Sequence, residues 1–248
     1  MRDEEQMKDK GAPKYSIVVP CYNESRNLAP LLEAFSARLE RDDFELIVVD
    51  NGSSDGTAAE LRRLLPLYPF ARSVRVEVNK GYGAGILSGL AAAAGEYAGW
   101  THGDLQFDPG AVAQAAGLIE KSGGGNIFVK GLRRGRPLTD RIFTAAMSVF
   151  ETLLMGTRLR DINGQPTLFN RALMKTWSEP PHDFSLDLYA YVMAVRAGFR
   201  IVRFDAVNFE RRSGASSWNR GPWARLRLAA RTIVSSVRVR KLLGRLKR

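Results

Sequence analysis

The chain has 248 residues, 45% of them hydrophobic and 25% charged, with 37 Lys and Arg against 26 Asp and Glu. Eight Arg, two Lys and no acid fall in 219–248, which leaves 27 basic against 26 acidic side chains in 1–218. A nearly neutral body with a basic tail excludes a coat protein basic all over, and with it a nucleic-acid partner, and the composition is that of a folded globule.

Residues 1–13 read as a solvated leader ending at Pro13. Apolar runs then alternate with helical periodicity. Tyr15–Pro20 is a buried-strand pattern, and Glu24–Leu39 repeats Leu28, Leu31, Leu32, Phe35 and Leu39 at helical spacing. A second strand over Phe44–Asp50 precedes a helix over Asp55–Leu65, and a third over Val74–Val78 precedes the small-residue helix Ala84–Ala94. Tyr97–Thr101 and Pro109–Lys121 form a fourth pair. This βα alternation predicts an α/β domain with a mostly parallel sheet and right-handed crossovers. Ligands of such sheets sit at the carboxyl ends of the strands, here Pro20–Glu24, Asp50–Asp55, Asn79–Gly85 and His102–Gln106. Further on, the pattern predicts strands at Asn126–Lys130, Thr167–Phe169 and Arg200–Phe209, and helices at Thr139–Met155 and Phe184–Ala197.

Several segments carry chemistry. In VVDNGSSDGT, Asp50 or Asn51 can hydrogen-bond a base or ribose while Ser53, Ser54 or Asp55 caps a helix; equally, Asn51-Gly52 is a plain turn. NKGYGAG spaces Gly81, Gly83 and Gly85 so that a phosphate or sugar can approach the backbone, or so that a helix packs closely on the sheet. In WTHGDLQFDP, His102, Asp104 and Gln106 alternate, which puts three side chains on one side of an extended chain. Carboxylate and amide oxygens suit a hard divalent cation, Mg2+ or Mn2+, and an imidazole suits Mn2+ better than Mg2+. Arg133, Arg134, Arg136 and Arg141 form a cluster able to clamp phosphate, or a solvated loop. FERRSGASSW is a loop that closes over a ligand or merely lies on the surface. His182 lies in a surface turn, and neither zinc spacing nor a nucleophile elbow is present.

In order and spacing, PCYNES, VVDNGSSDGT, NKGYGAGILSGLAAAAGEY, GDLQFDP, KGLRRGR and GFRIVRFDAVNFERRSGASSW resemble family 2 glycosyltransferases, and most of all the dolichol- or polyprenyl-phosphate mannosyl- and glycosyltransferase branch. The resemblance covers roughly residues 15–218 and implies a GT-A fold over 14–218, a nucleotide-sugar donor and inverting transfer. It implies donor contacts at Pro20, Tyr22, Asn23, Glu24, Asp50, Asn51, Ser53, Gly81, Gly83 and Asp104, with Asn51 replacing a common Asp. It places Asp104 and Gln106 on the metal, with His102 where a first acid is usual, and Arg133, Arg141, Arg212 and Ser216 on the acceptor phosphate. Ser217 stands in place of a lysine, and Gly164-Gln165-Pro166 in place of Gly-Phe-Arg.

A polyprenyl-phosphate acceptor is already an anion and needs positioning more than a base. A hydroxyl acceptor needs a carboxylate base, for which Asp187 and then Asp183 are the candidates, unless they are a first-turn acid and a cap. A degenerate transferase, its metal site spoiled by His102, is the third reading. In the tail 219–248, Trp223, Leu226, Ala230, Ile233 and Val237 repeat at helical spacing beside Arg227, Arg231, Arg238 and Arg245, before the apolar face shifts to Leu242 and Leu246. That composition suits an anionic membrane surface; docking on the protein's own body or on a membrane-protein partner are the alternatives. The lone Cys21 and the charged amino-terminal stretch place the expected location on the cytoplasmic face of a membrane.

Overall fold

The computed structural model describes residues 11–39, 41–103, 107–207 and 222–245, the last with the side chains of 227 and 229–245. Seven strands form one sheet: β1 (Tyr15–Cys21), β2 (Phe44–Asn51), β3 (Ala71–Val76), β4 (Tyr97–Trp100), β5 (Ile127–Arg134), β6 (Thr167–Asn170) and β7 (Arg200–Val207). Their order is β3-β2-β1-β4-β6-β5-β7. All neighbours run parallel except β6, which is antiparallel to both β4 and β5.

The helices are α1 (Ser25–Arg38), α2 (Thr57–Leu64), α3 (Tyr82–Ala92), α4 (Gly110–Lys121), α5 (Leu138–Met155), α6 (Leu186–Arg196) and α7 (Pro222–Arg245). Successive side chains of β1 part to opposite faces of the sheet. Ile17 and Val19 join a core with Leu28, Leu31, Phe35, Leu61, Val112 and Ile119, whereas Val18 joins one with Ile86, Leu90, Tyr189, Val192 and Leu243. Burial on both faces explains why β1 and β2 read as continuous apolar runs rather than alternating ones.

Two expectations shift. The third strand starts earlier than Val74–Val78 and stops at Val76, leaving Val78 exposed; it is an edge strand paired with β2 alone. In the carboxyl-terminal helix the buried side chains are Ser236, Val239 and Leu243, while Ala230 and Ile233 of the apolar stripe read from sequence are exposed. The body selects that face because Ser236 Oγ reaches Glu151 Oε1 on α5 at 2.9 Å and Arg196 Nη1 on α6 donates to the Leu243 carbonyl at 2.8 Å. Trp223 and Leu226 of the same stripe lie outside the described side chains.

Candidate active site

The carboxyl ends of β1 and β2 are stitched together by their own loops. Asn23, in a left-handed conformation at φ 56°, donates its N–H to Ser53 Oγ at 3.0 Å, and its Oδ1 accepts from Ser54 N at 2.9 Å. Glu24 N donates to Thr57 Oγ1 at 3.1 Å. Burial raises the Asp55 pKa, but hydrogen bonds from Thr57 and Ser25 outweigh it and hold the carboxyl down at about 2, so this residue anchors the start of α2. Pro20, one residue from the end of β1, is half-buried, and Tyr22 stands exposed just past the strand.

Asp50 is buried at the end of β2. Its Oδ1 accepts from Ser53 N at 3.0 Å and its Oδ2 from Arg75 Nη1 at 2.8 Å. Asn51 is buried beside it and donates Nδ2 to the Gly81 carbonyl at 3.0 Å. Its Oδ1 accepts no hydrogen bond among the described residues, an orphan acceptor that a ligand N–H or hydroxyl would satisfy.

The glycines of NKGYGAG have a local cause. A Cβ on Gly81, at φ +109°, would meet the His182 carbonyl at 2.6 Å, and one on Gly83 would meet the Pro181 carbonyl at 2.6 Å. The close approach these residues permit is therefore made by the protein's own 181–183 loop, and Ala84 N ties it down by donating to the His182 carbonyl at 3.1 Å. The same packing carries Phe184 to the sheet edge. Its half-exposed ring stacks on Tyr82 with centroids 4.5 Å apart. Tyr82 lies 5.7 Å from the His102 ring, which in turn stacks on Phe107 at 5.9 Å. His102 is thus one of four rings in a column. Asp104 and Gln106, the residues expected to share a metal with it, lie like Arg212, Ser216 and Ser217 outside the described residues. Among the described residues no group of three His, Cys, Asp or Glu side chains gathers to hold a metal. His102 is half-buried; by residue type, its imidazole with the carboxylate of Asp104 and the amide of Gln106 makes a mixed nitrogen and oxygen donor set suited to a divalent cation.

On the far side of β4, Arg133 is clamped by Asp161, with Nε donating to Oδ1 at 2.8 Å and the backbone N to Oδ2 at 2.7 Å. Burial pushes the Asp161 carboxyl up, yet the charge and hydrogen bonds of Arg133 prevail and hold it below the usual range. Arg141, on the first turns of α5, is exposed.

Asp187 occupies the first turn of α6, fully enclosed. Lys130 Nζ donates to its Oδ1 at 2.8 Å and to Thr167 Oγ1 at 2.6 Å, and Gln165 Nε2 donates to the same Oδ1 at 3.0 Å. Burial lowers the Lys130 pKa, and the neighbouring Asp187 offsets part of that. Sequence reading took Lys130 as the last residue of a strand and did not see its partner. The available signal was a lone charge inside the apolar run IFVKGL, which demands a counter-charge once the strand is central. Asp183 is better exposed; its Oδ1 accepts from Ser185 N at 2.9 Å, and its Oδ2 accepts from Ser235 Oγ of α7 at 3.3 Å.

Comparisons place this architecture. A glucosyl-3-phosphoglycerate synthase from Mycobacterium tuberculosis, solved with Mn2+ and UDP, superposes with a TM-score of 0.67 at 21% identity, over 97% of this chain and 84% of that one. A mannosyltransferase from Pyrobaculum calidifontis, in complex with GDP-Man and Mn2+, gives 0.63 at 19% identity, over 96% and 79%. Both show the fold, a GT-A-like α/β sheet, and solved relatives of this fold carry Mn2+ or Mg2+. Among curated proteins, a dodecaprenyl-phosphate galacturonate synthase of Rhizobium johnstonii is 33% identical over 109 residues, 43% of this chain and 32% of its own length. A dolichol-phosphate mannosyltransferase of Pyrococcus furiosus is 29% identical over 121 residues, 48% of this chain and 34% of its own. The match thus spans about a third of the length of these relatives. A family model described as glycosyl transferase family 2 matches residues 16–185, which contain the β1 and β2 strand ends, the glycine turn and the Arg133 loop, and the chain belongs to that family.

Proposed function

We propose that this protein is an inverting glycosyltransferase that moves a sugar from a nucleotide-sugar donor to a polyprenyl phosphate at the cytoplasmic face of a membrane. The nucleotide is held at the β2 end, where pinned Asp50 and the orphan Oδ1 of Asn51 present acceptors side by side, with Pro20, Tyr22, Asn23, Glu24 and Ser53 around them. A divalent cation held by Asp104 and Gln106, with His102, would neutralise the leaving diphosphate. Gly81 and Gly83 bring the 181–183 loop flush against the donor turn.

The observation that carries the acceptor class is the state of Asp187. Buried at 2% exposure and held through Oδ1 by Lys130 and Gln165, it serves as the counter-charge of an enclosed lysine rather than as a carboxylate presented to an acceptor hydroxyl. A lipid phosphate brings its own negative charge and requires only cationic positioning, for which Arg141 is exposed and Arg133 retains one guanidinium nitrogen outside its Asp161 clamp. Arg212 and Ser216 are proposed to meet the same phosphate, a role that rests on the sequence resemblance alone. Similarity to polyprenyl-phosphate sugar transferases supports the same class.

Nucleotide release from a panel of UDP- and GDP-sugars, with polyprenyl phosphate or with sugar and metabolite hydroxyls as acceptor, tests the reading in Mg2+ and in Mn2+. Release stimulated by the lipid phosphate in the presence of either metal is expected. Release stimulated only by a hydroxyl acceptor refutes it, and no release with any donor points to a degenerate site.

A further inference from the structure

No described helix is long and apolar enough to cross a membrane, yet four of the large apolar side chains that stand exposed share one helix. On α5, Leu138, Ile142, Val149 and Leu153 are between 60% and 79% exposed. At 100° per residue these four positions fall within about 60° of arc, a stripe of roughly 22 Å along the helix. Ala145 and Ala146, also exposed, fill the middle of that stripe. The buried side chains of the helix, Ser148, Glu151 and Met155, point away from it. Singly scattered apolar residues need no explanation, but a continuous stripe does.

We propose that this outer face of α5 rests on an anionic lipid bilayer, so that α5 rather than α7 alone seats the enzyme beside its acceptor. The inference rests on the lipid-phosphate reading above. The described part of the carboxyl-terminal helix commits Val239 and Leu243 to the body and leaves only Ile233 and Val234 as large exposed apolar side chains. The charges around the stripe select the occupant. Arg141 is exposed near its start, and Arg158 and Arg160 are exposed just past its end. The two acids of α5 are withdrawn, Asp140 half-buried and paired with Arg136, Glu151 buried against Ser236. An apolar strip with cationic ends and no exposed carboxylate matches acyl chains bordered by anionic head groups. A second copy packed antiparallel on the same face would instead set Arg141 against Arg158 and Arg160, like charge on like. Arg141 lies one turn from Leu138, so a phosphate leaving the head-group layer meets the enzyme where the stripe begins.

The test compares the full chain with Ile142→Asn/Val149→Asn/Leu153→Asn and with Ile233→Asn/Val234→Asn, by flotation with phosphatidylcholine vesicles with and without phosphatidylglycerol. The α5 variant is expected to lose about tenfold or more of its partition onto anionic vesicles, and the α7 variant less. Equal binding of wild type and the α5 variant overturns the proposal. So does failure of the wild type to bind protein-free vesicles, which indicates a membrane-protein partner, or a wild-type dimer that the α5 variant dissociates. Should the triple variant not fold, Leu153→Cys labelled with an environment-sensitive dye replaces it; a blue shift on anionic vesicles is expected, and none overturns the proposal. Transfer to a short, water-soluble isoprenyl phosphate without vesicles is expected to be equal in wild type and the α5 variant. Its absence in the wild type refutes the lipid-phosphate reading, whatever the vesicle result.

Discussion

At the scale of single residues, two buried carboxylates behave in opposite ways. Asp187 is ion-paired with Lys130 at 2.8 Å, and removing one member of such a pair leaves the other charged, enclosed and unpaired. Asp187→Asn is therefore expected to lower stability by about 3–5 kcal/mol in urea unfolding, with Lys130→Met/Asp187→Leu recovering most of it. A stable Asp187→Asn protein that has lost only hydroxyl transfer would mark Asp187 as a base instead. Among the described residues no cation pairs with Glu151. Burial pushes its pKa up to about 7 from the ordinary 4.5, against a modest opposing effect of the Ser236 hydrogen bond. The raised folded-state value means that its contribution is fully present below about pH 4.5 and is lost as pH climbs through 7. Glu151→Gln should thus be more stable than wild type at pH 8 by on the order of 3 kcal/mol, with the gap narrowing toward pH 5 in thermal melts. A constant gap across that range would show that Glu151 does not ionise in place.

Among the elements, α7 carries the clearest consequence. Its docked half buries Val239 and Leu243, gives Arg196 a carbonyl partner, and through Ser235 and Arg238 meets Asp183 on the loop that presents Phe184. Leu243→Ala is expected to cost about 2–5 kcal/mol by leaving a cavity between α6 and α7, read by urea unfolding. A chain ending at Asn219 is expected to unfold at lower temperature and denaturant than the full chain, because Val239 and Leu243 no longer cover the α6 face. An unchanged melting temperature would mean that α7 is an appendage. The first four strands and the polar turns at their carboxyl ends were legible in the sequence because buried parallel strands announce themselves as apolar runs ending in polar turns. The partners of Asp187, Arg133 and Asp50 were not, since Lys130, Asp161 and Arg75 lie 57, 28 and 25 residues away and only sheet order brings them together. The face by which α7 docks on the body was not legible for a related reason. A serine pair facing Glu151 and Asp183 makes a good contact, but sequence periodicity counts serine as polar.

For the molecule as a whole, the charge of +11 resolves into a neutral catalytic body and a basic helix half-committed to that body. The sheet gathers acidic and amide groups at the ends of β1 and β2, the half of the crevice assigned to the donor, while Arg133 and Arg141 lie on the β5–α5 half assigned to the acceptor. The exposed stripe of α5 runs on from Arg141. On the proposed reading, donor, acceptor and membrane meet along the path from β2 to α5. The central claim is that the acceptor oxygen belongs to a lipid phosphate. Its most direct measurement is the linkage of the product formed from a labelled nucleotide sugar and polyprenyl phosphate. The account predicts a label that partitions into organic solvent and is released by mild acid as a sugar phosphate ester. A label that forms only with hydroxyl acceptors and survives mild acid as a glycoside would contradict it.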